Sequence, residues 1–314
     1  MRVGFISHAD CGRHDTGWEH PDHVGRLRAI TRALRNVPEL WEAVDQLEGR
    51  HATPDEIALA HGTEYIAMVQ QIAANGGGRL DPDTVASEGS WDAATAGAGC
   101  VLDAVDRAMS GQNLRSFCAV RPPGHHALRD RAMGFCIFGN VALAAHYARR
   151  THRADRVLIV DWDVHHGNGT QALVEHDPGI HFVSMHQWPW YPGTGAASDR
   201  GAGNVWNVPL PAGLPPERYV NALRGAVDEA TREFTPDLVL ISAGFDSLAG
   251  DPLGGFTLEM EHVALLTREL VERAEGWCAG RVVSALEGGY APARLGDACV
   301  VHMRALRDAV PADA

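Results

Sequence analysis

Short apolar runs alternate with longer amphipathic stretches along the whole 314-residue chain. Short runs of apolar, often β-branched residues are typical of buried strands, and apolar residues three or four apart are typical of helices. Strands separated by helices indicate βαβ units, so we predict an α/β fold with a mostly parallel central sheet and helices on both faces. No Pro/Ser-rich linker, low-complexity tract or repeat interrupts the pattern, so we predict a single domain over residues 1–314.

The pattern sets the expected bounds of the main elements. The predicted strands are Val3–Ile6, Phe117–Val120, Val157–Val160, His181–Ser184, Leu238–Ser242 and Val282–Leu286. The predicted helices are Val24–Arg35, Trp91–Met109, Gly139–Arg150, Pro216–Phe234, Leu258–Glu275 and Ala291–Asp308.

Polar, glycine-rich segments follow five of these predicted strands. In chain order they read "RPPGHHA", "DWDVHHGNG", "MHQWPWYPGTG", "AGFDSLAGDPLGG" and "EGGY". Binding sites of parallel α/β sheets form beyond the carboxyl ends of the strands. Each segment alone could be a turn, but the five together predict one active site at one edge of the sheet.

Acids and histidines are concentrated in "DWDVHHGNGT", directly after the apolar run "RVLIV". Burying charge is costly unless it is paired or bound to metal. Alternate residues of a strand share a face, so Asp161, Asp163 and His165 start on one side and His166 on the other. Asp246 follows another predicted strand and completes, with Asp163 and His165, the three N/O ligands typical of catalytic zinc. The alternative is a strand end where Asp161 caps a turn and His165 is a core histidine.

Two adjacent histidines and a tyrosine are the candidate catalytic groups. His125 and His126 cannot easily share one metal ion, so they indicate proton transfer beside a metal site. Each imidazole needs a partner on its second nitrogen, and Asp161 and Asn168 are available. The hydroxyl of Tyr290, after two glycines, can donate to a developing oxyanion. The alternatives are polar turn residues for the histidine pair and an ordinary loop tyrosine.

Composition narrows the expected partners and location. The net charge of −13 argues against binding to a nucleic-acid backbone, although an acidic protein can favour cationic substrates. We expect no membrane association, because the N-terminus lacks the pattern of a signal peptide and no apolar run is long enough to span a bilayer. Six scattered cysteines without a C-x-x-C motif predict reduced, buried thiols in a cytoplasmic protein. A homo-oligomer is left open.

Motifs from His20–Leu27 ("HPDHVGRL") to Leu286–Tyr290 ("LEGGY") resemble the zinc-dependent histone deacetylase superfamily, which includes acetylpolyamine amidohydrolases. The most specific are "RPPGHHA", "DWDVHHGNGTQ", "SAGFDSLAGDPLGG" and "LEGGY", in this order. The wording of the second is similar to the class II branch and its bacterial relatives. The resemblance implies an arginase/deacetylase-type fold with one Zn²⁺ per chain.

The resemblance also implies a role for each matching residue. It makes Asp163, His165 and Asp246 the zinc ligands. It pairs His125 with Asp161 and His126 with Asn168, makes His126 the general base and then the general acid, and leaves His125 a mainly electrostatic role. It assigns Tyr290 to polarise the amide carbonyl together with the metal. The implied substrate-binding residues are Asp83, Gly134, Phe135, Tyr191 and Leu253, and the implied structural K⁺ site uses Asp161, Asp163, His165, Ser184 and Met185.

Some positions depart from the family pattern and concern the substrate. "HPD" at His20–Asp22 replaces the usual "HPE", Gly139 stands where an Asn is common, and Tyr191 stands where a Phe is frequent. Leu253 at the gate position cannot pair with a secondary ammonium, and the segment from Gly76 to Trp91 is too short for a large insertion. We therefore predict a fairly open, apolar mouth for an acyl-lysine side chain or a bulkier acylated small molecule.

These observations predict a zinc-dependent amidohydrolase that acts on linear amides, most simply a deacetylase of acetyl-lysine-type substrates or small acylated amines. The resemblance implies that a water, activated by the metal and His126, attacks the carbonyl, and that no covalent enzyme intermediate forms. The alternatives are an acetylpolyamine deacetylase, an arginase-like hydrolase with two manganese ions and a non-catalytic acyl-lysine-binding module.

Overall fold

Eight parallel strands form the central sheet of the computed structural model, which describes residues 2–309. Their order is β2-β1-β5-β10-β9-β6-β7-β8, and a separate antiparallel hairpin is formed by β3 and β4. The strands are β1 Gly4–Ser7, β2 Asp45–Glu48, β3 Gly77–Arg79, β4 Val85–Ser87, β5 Arg115–Cys118, β6 Val157–Asp161, β7 Ile180–Gln187, β8 Val205–Leu210, β9 Leu238–Ala243 and β10 Val282–Leu286. The predicted α/β class with a mostly parallel sheet is confirmed.

Helices cover both faces of this sheet. They are α1 Gly25–Arg35, α2 Pro38–Trp41, α3 Pro54–Ile57, α4 Thr63–Ala74, α5 Ser90–Ser110, α6 Asn140–His152, α7 Asn168–Val174, α8 Pro216–Thr231, α9 Met260–Cys278 and α10 Pro292–Asp308, with a 3-10 helix at Ala9–Arg13. One core packs α1, α8, α9 and α10 against the sheet, and the other packs α4, α5 and α6. None of the helices within residues 2–309 combines the length and the apolarity needed to cross a membrane.

The central strand β6 shows how the sequence produces two cores. All five of its residues are buried, and Leu158 and Val160 face one core while Val157 and Ile159 face the other. Alternate side chains of a strand point to opposite faces, so a parallel strand covered on both sides reads as a continuous apolar run. The run therefore ends with Asp161 fixed at the carboxyl edge of the sheet.

The six predicted strands and six predicted helices are all present, with ends within three residues of the expected bounds. The prediction missed the edge strands β2 and β8, the β3–β4 hairpin and the helices α2, α3, α4 and α7. β2 reads "DQLE" and alternates between partly exposed and exposed residues, and β8 contains Asn207 and Pro209. Proline is tolerated in strands chiefly at sheet edges, and neither sequence forms the continuous apolar run of a central strand.

Candidate active site

The glycine-rich segments converge at the carboxyl ends of the central strands β5, β6, β7, β9 and β10. β6 pairs with β7 on one side and β9 on the other, so that Asp161 lies opposite both Ser184 and Ser242. Three loops from non-adjacent parts of the sequence are thereby brought beside the end of β6. This edge is where ligand sites of open parallel sheets form.

Asp163, His165 and Asp246 each offer one ligand atom in a buried group whose atoms all lie within 4.8 Å of one another. His165 Nδ1 lies 2.9 Å from Asp163 Oδ1 and 3.3 Å from Asp246 Oδ2. Both carboxylates are fully buried, and Asp246 Oδ2 has no hydrogen-bond partner among the described residues. Burial and the charge of Asp163 raise the pKa of Asp246 to about 7. Two buried carboxylates with an unpaired oxygen are stabilised by a bound cation, and the nitrogen and oxygen donors of this group suit Zn²⁺.

Backbone N–H groups fix the remaining carboxylate oxygens. Gly288 N donates to Asp163 Oδ2 at 2.8 Å, and Val164 N donates to Asp246 Oδ1 at 2.9 Å. A Cβ at position 288 would lie 2.0 Å from Asp246 Oδ2 and 2.5 Å from Asp163 Oδ2. Only glycine lets the "EGGY" turn approach the two carboxylates this closely, which explains one of its two glycines.

The adjacent histidines have different partners. His125 Nδ1 lies 3.0 Å from Asp161 Oδ2, and His126 Nδ1 lies 2.7 Å from Asn168 Oδ1. The two rings are 4.0 Å apart, and both are buried. Because an amide oxygen only accepts, His126 carries its proton on Nδ1 and keeps a free lone pair on Nε2. The family resemblance had implied the pairs His125–Asp161 and His126–Asn168, and the structure brings the same groups together.

Their electrostatic environments separate the two histidines. Burial alone would lower the pKa of His125, but Asp163 and Asp161 outweigh it and hold that pKa well above its ordinary value. Burial and the positive charges of His125 and His165 hold the pKa of His126 well below its ordinary value. His126 is therefore neutral and able to accept a proton, whereas His125 is charged, a division typical of sites with distinct acid–base roles.

Tyr290 follows the same glycine turn and is half-buried. Its ring makes an edge contact with Phe135, with centroids 5.8 Å apart, and the Arg26 guanidinium lies over it at 4.9 Å. Its backbone N–H donates to Asp251 Oδ2 at 2.7 Å. Burial raises the pKa of the phenol well above its ordinary value, so the hydroxyl is a hydrogen-bond donor at neutral pH.

Aromatic side chains line the approach to this centre. The Tyr191 ring meets His126 edge-on at 5.1 Å and His165 at 6.0 Å. Phe135 has a φ of 68°, which is strained for a non-glycine residue, and Gly134 before it has a φ of 57°. A Cβ on Gly134 would lie 2.3 Å from His126 Cδ2, so this turn is shaped around the histidine. Strained backbone of this kind is concentrated at functional sites.

The loop after β7 carries Trp188, Trp190 and Tyr191, and the outer rim of the site is formed by Trp190, Tyr191 and Leu253. The three aromatic side chains are among the few exposed large apolar residues, at 38%, 46% and 37% exposure. Trp190 Nε1 donates to the carbonyl of Leu253 at 2.9 Å and so joins the loop after β7 to the loop after β9. This contact holds Leu253 beside Trp190, so this part of the rim is apolar.

Asp83 lies in the β3–β4 hairpin and holds part of the rim together. Its Oδ1 accepts from Gly134 N at 3.0 Å and from Thr84 Oγ1 at 2.9 Å. Burial first and the charge of Asp83 second raise the pKa of Tyr191, because Asp83 lies close to that phenol. The expectation that Asp83 holds substrate N–H groups stays a prediction, and the structure adds that one of its oxygens already supports the Gly134–Phe135 turn.

The five residues predicted to hold potassium lie in and just beyond β6 and β7. Asp161 and Ser184 are partners across the two strands, and Met185 is the next buried residue of β7. Ser184 Oγ lies 3.1 Å from His186 Nδ1. Potassium binding at Asp161, Asp163, His165, Ser184 and Met185 stays a prediction.

A buried charge network behind the site was not predicted. Asp22 Oδ1 accepts from Arg26 at 2.7 Å and from Arg121 at 2.8 Å, and all three side chains are fully buried. Arg26 also donates to the carbonyl of Gly289 at 2.8 Å, within the turn that carries Tyr290. The signal was present in the sequence, because Asp22 and Arg121 are the charged residues of "HPD" and "RPPGHH". The departure from "HPE" leaves a carboxylate that still reaches both guanidinium groups.

Glu287 is a second buried residue that the sequence analysis did not single out. Its Oε2 accepts from Gly124 N at 2.7 Å and from His125 N at 3.1 Å, so it fixes the backbone of the "PPGHH" turn. Burial raises its pKa to about 7, although the positive charge of His125 opposes the shift. The signal that could have identified Glu287 was an acid placed directly after the apolar run of β10 and before two glycines.

Comparisons with known proteins agree on one family. The family model described as "Histone deacetylase domain" matches residues 20–306. An uncharacterized protein of Synechocystis sp. is 43% identical over 92% of this chain and 94% of its own length. The histone deacetylase-like amidohydrolase of Pseudomonas aeruginosa is 34% identical over 94% of this chain and 81% of its own length.

Human histone deacetylase 9 is 36% identical, and the match covers 94% of this chain but only 32% of that protein. Among solved structures, the crystal structure of the HDA15 HD domain superposes with a TM-score of 0.91 at 33% identity. That superposition covers 98% of this chain and 91% of the other.

Proposed function

The chain belongs to the histone deacetylase family, and on that premise we propose that it is a zinc-dependent amidohydrolase that removes a short acyl group from a linear amide. The family relatives support deacetylase or amidohydrolase activity in general. One observation carries the proposal furthest. His165 Nδ1 faces two buried carboxylates, and the neutral His126 lies next to it, with ring centroids 5.8 Å apart.

Asp163, His165 and Asp246 are the residues that would hold the zinc ion. When bound there, zinc supplies a Lewis acid that lowers the pKa of a water and polarises the substrate carbonyl. An arginase-like pair of manganese ions would need more carboxylates nearby, because manganese prefers oxygen ligands. Within residues 2–309, the other buried group able to bind metal is His125, Cys136 and Glu287, and it includes a thiol. This composition favours a single zinc ion.

His126 is the proton carrier of the proposed reaction. Asn168 holds the tautomer in which Nε2 is unprotonated, and the depressed pKa keeps that nitrogen free at neutral pH. His126 therefore takes a proton from the attacking water and later gives it to the leaving amine. His125, held by Asp161, contributes positive charge beside the reacting carbonyl.

Tyr290 supplies the donor for the developing oxyanion. Its hydroxyl stays protonated because burial raises the phenol pKa, and Arg26 and Asp251 hold the residue on its glycine turn. A positioned donor of this kind acts where negative charge develops in the transition state. The presence of this tyrosine argues against a non-catalytic acyl-lysine-binding module, because such a module would not need an oxyanion donor.

The apolar rim favours a substrate whose acylated side chain carries no second ammonium, such as an acyl-lysine. Leu253 and the exposed aromatic residues 190 and 191 offer no carboxylate to a second ammonium, and Asp83, the carboxylate of the rim, already uses Oδ1 to hold Gly134 N and Thr84 Oγ1. The net charge of −13 attracts polycations at low salt, but exposed charges farther away than about 8–10 Å are screened at physiological salt. The residues of the rim therefore decide the preference between an acyl-lysine and an acetylpolyamine.

We propose the K⁺ ion only as a structural support for the end of β6.

A substrate comparison tests this choice. We expect a higher kcat/KM for an acetyl-lysine peptide than for acetylspermidine at about 0.15 M salt. The Leu253→Glu variant adds a carboxylate at the rim and should shift the ratio towards acetylspermidine, whereas Leu253→Gln serves as the uncharged control. A wild-type preference for acetylspermidine of about tenfold or more, equal to about 1.4 kcal/mol in transition-state binding, contradicts the proposal.

A further inference from the structure

A second cluster of metal-binding side chains lies outside the active site, where the 3-10 helix after β1 meets the segment after β2. His8, Asp10 and His51 each offer one ligand atom, and these atoms lie within 4.8 Å of one another. The side chains are 16%, 27% and 40% exposed, so solvent ions reach them. We propose that this cluster is a surface binding site for a divalent transition-metal ion, separate from the catalytic zinc site.

The hydrogen bonds of His51 leave its Nε2 able to bind a metal ion. Thr95 Oγ1 has one proton and three acceptors within reach, the carbonyls of Trp91 and Asp92 at 3.0 and 3.1 Å and His51 Nδ1 at 2.8 Å. When the proton goes to a carbonyl, Thr95 accepts from His51 Nδ1, and the lone pair of the neutral imidazole is on Nε2, 3.0 Å from Asp10 Oδ2. A metal ion bound by both atoms selects this tautomer, whereas without an ion the Nε2–H of the other tautomer donates to Asp10.

His8 has the complementary arrangement. Its Nδ1 accepts from the backbone N–H of Asp10 at 3.1 Å, so in the neutral form the proton is on Nε2. The Nδ1 lone pair lies 3.7 Å from Asp10 Oδ2, and Nε2 lies 3.9 Å from Glu48 Oε1. A metal ion bound to His8 Nδ1 would replace the backbone N–H of Asp10 as the partner of that nitrogen. The proton on Nε2 would still face the carboxylate of Glu48. Metal-binding histidines commonly donate their second N–H in this way.

The donor set selects the class of ion. Two imidazoles and one carboxylate suit Zn²⁺, Ni²⁺ or Co²⁺ better than Mg²⁺ or Ca²⁺, which prefer oxygen ligands. Asp10 and Glu48 give the cluster two negative charges. Arg13 lies 3.7 Å from Asp10 Oδ1 but makes its closest ion pair with Asp92. Asp10 Oδ2, which faces both histidines, is therefore the oxygen left to bind a metal.

A bound ion would join two segments that are distant in the sequence, and a hydrogen bond links the second of them to a third. His8 and Asp10 belong to the 3-10 helix region, His51 follows β2, and Thr95 ties His51 to α5. An ion that binds only the folded chain stabilises it by mass action. We therefore expect Zn²⁺ to raise the melting temperature beyond the increase produced by filling the catalytic site.

Isothermal titration of Zn²⁺ into the full chain tests the site, with stoichiometry as the readout. We expect the wild type to bind one more equivalent than the His8→Ala/His51→Ala double variant. His176→Ala is the matched control, because His176 is 87% exposed and lies beside Glu175 without a second histidine. The comparison measures a difference between variants with unchanged catalytic ligands, so it holds whether or not the proposed activity is correct.

The Thr95→Val variant keeps all three ligands and removes only the acceptor that orients His51. Loss of such a partner weakens metal binding by about 10- to 100-fold, so we expect at least a tenfold rise in the Kd of the extra equivalent. Equal stoichiometry in the wild type and the double variant overturns the proposal, and in that case the contact between His51 and Asp10 is a hydrogen bond without a metal ion. Loss of the extra equivalent in His176→Ala overturns it as well.

Discussion

At the residue scale, the hydroxyl of Tyr290 is the most specific element of the proposed chemistry. We expect Tyr290→Phe to keep the fold and the zinc content, because the ring contacts with Phe135 and Arg26 do not use the hydroxyl. Removing one oxyanion donor typically lowers kcat about 10²- to 10³-fold. Steady-state kinetics on an unactivated acetyl amide, with metal analysis of the same sample, measure both. Near wild-type turnover would show that Tyr290 is not the partner of the carbonyl.

The partner of His126 offers a second prediction at the residue scale. Asn168→Asp places an ionised acceptor on His126 Nδ1 in place of the neutral amide, 2.7 Å away in the wild type. A nearby negative charge raises the pKa of an imidazole. Because a general base must be unprotonated, the acid limb of the kcat/KM profile should move to higher pH. An unchanged limb, or one that moves to lower pH, would remove His126 from the role of base.

At the element scale, the turn at Gly134 and Phe135 couples backbone shape to catalysis. Gly134→Ala places a Cβ against the His126 ring at a φ of 57°, so we expect a large loss of kcat/KM. Gly250 is the matched control, because its φ is 81° and an added Cβ meets nothing within 4 Å. Each alanine costs about 1–2 kcal/mol in backbone strain, and only Gly134→Ala should lose activity. Thermal unfolding and kinetics of both variants check this, and equal activity in the two would contradict it.

Secondary structure was predictable where burial is complete and difficult at the edges. β6 and β10 are apolar on both faces, so their sequences identify them directly. β2 is half-exposed, and its identity depends on pairing with β1, a long-range contact that local sequence does not encode. The same limit applies to the site. Asp163, His165 and Asp246 were found by motif, but the pairing of Arg26 with Gly289 joins residues 263 positions apart.

At the scale of the whole molecule, buried neutral histidines make stability depend on pH. Burial lowers the pKa of His302 to about 3 and that of His61 to about 4. The ordinary value of 6.5 applies in the unfolded chain, which therefore binds more protons than the folded chain between pH 6.5 and about 4. The contribution of these two histidines to the free energy of unfolding should therefore fall as the pH falls through this window.

His302→Gln isolates one of these groups. His302 is enclosed by Thr267 and Ser284, each within hydrogen-bond distance, and glutamine stays neutral at every pH used. We expect the variant to be less stable at pH 7 and its free energy of unfolding to fall less steeply below pH 6. The difference in slope should approach about 1.4 kcal/mol per pH unit. Denaturant unfolding at several pH values measures it, and parallel curves would contradict the assignment.

The measurement that tests the central claim most directly is the dependence of amide hydrolysis on zinc. The chain is freed of metal with a chelator, dialysed and titrated with Zn²⁺ while hydrolysis of an acetyl-lysine peptide is followed. We predict that the metal-free chain is inactive, that activity saturates at one equivalent, and that Asp246→Ala stays inactive throughout because it lacks one of three ligands. Full turnover without metal, or a requirement for two manganese ions, would contradict the proposed function.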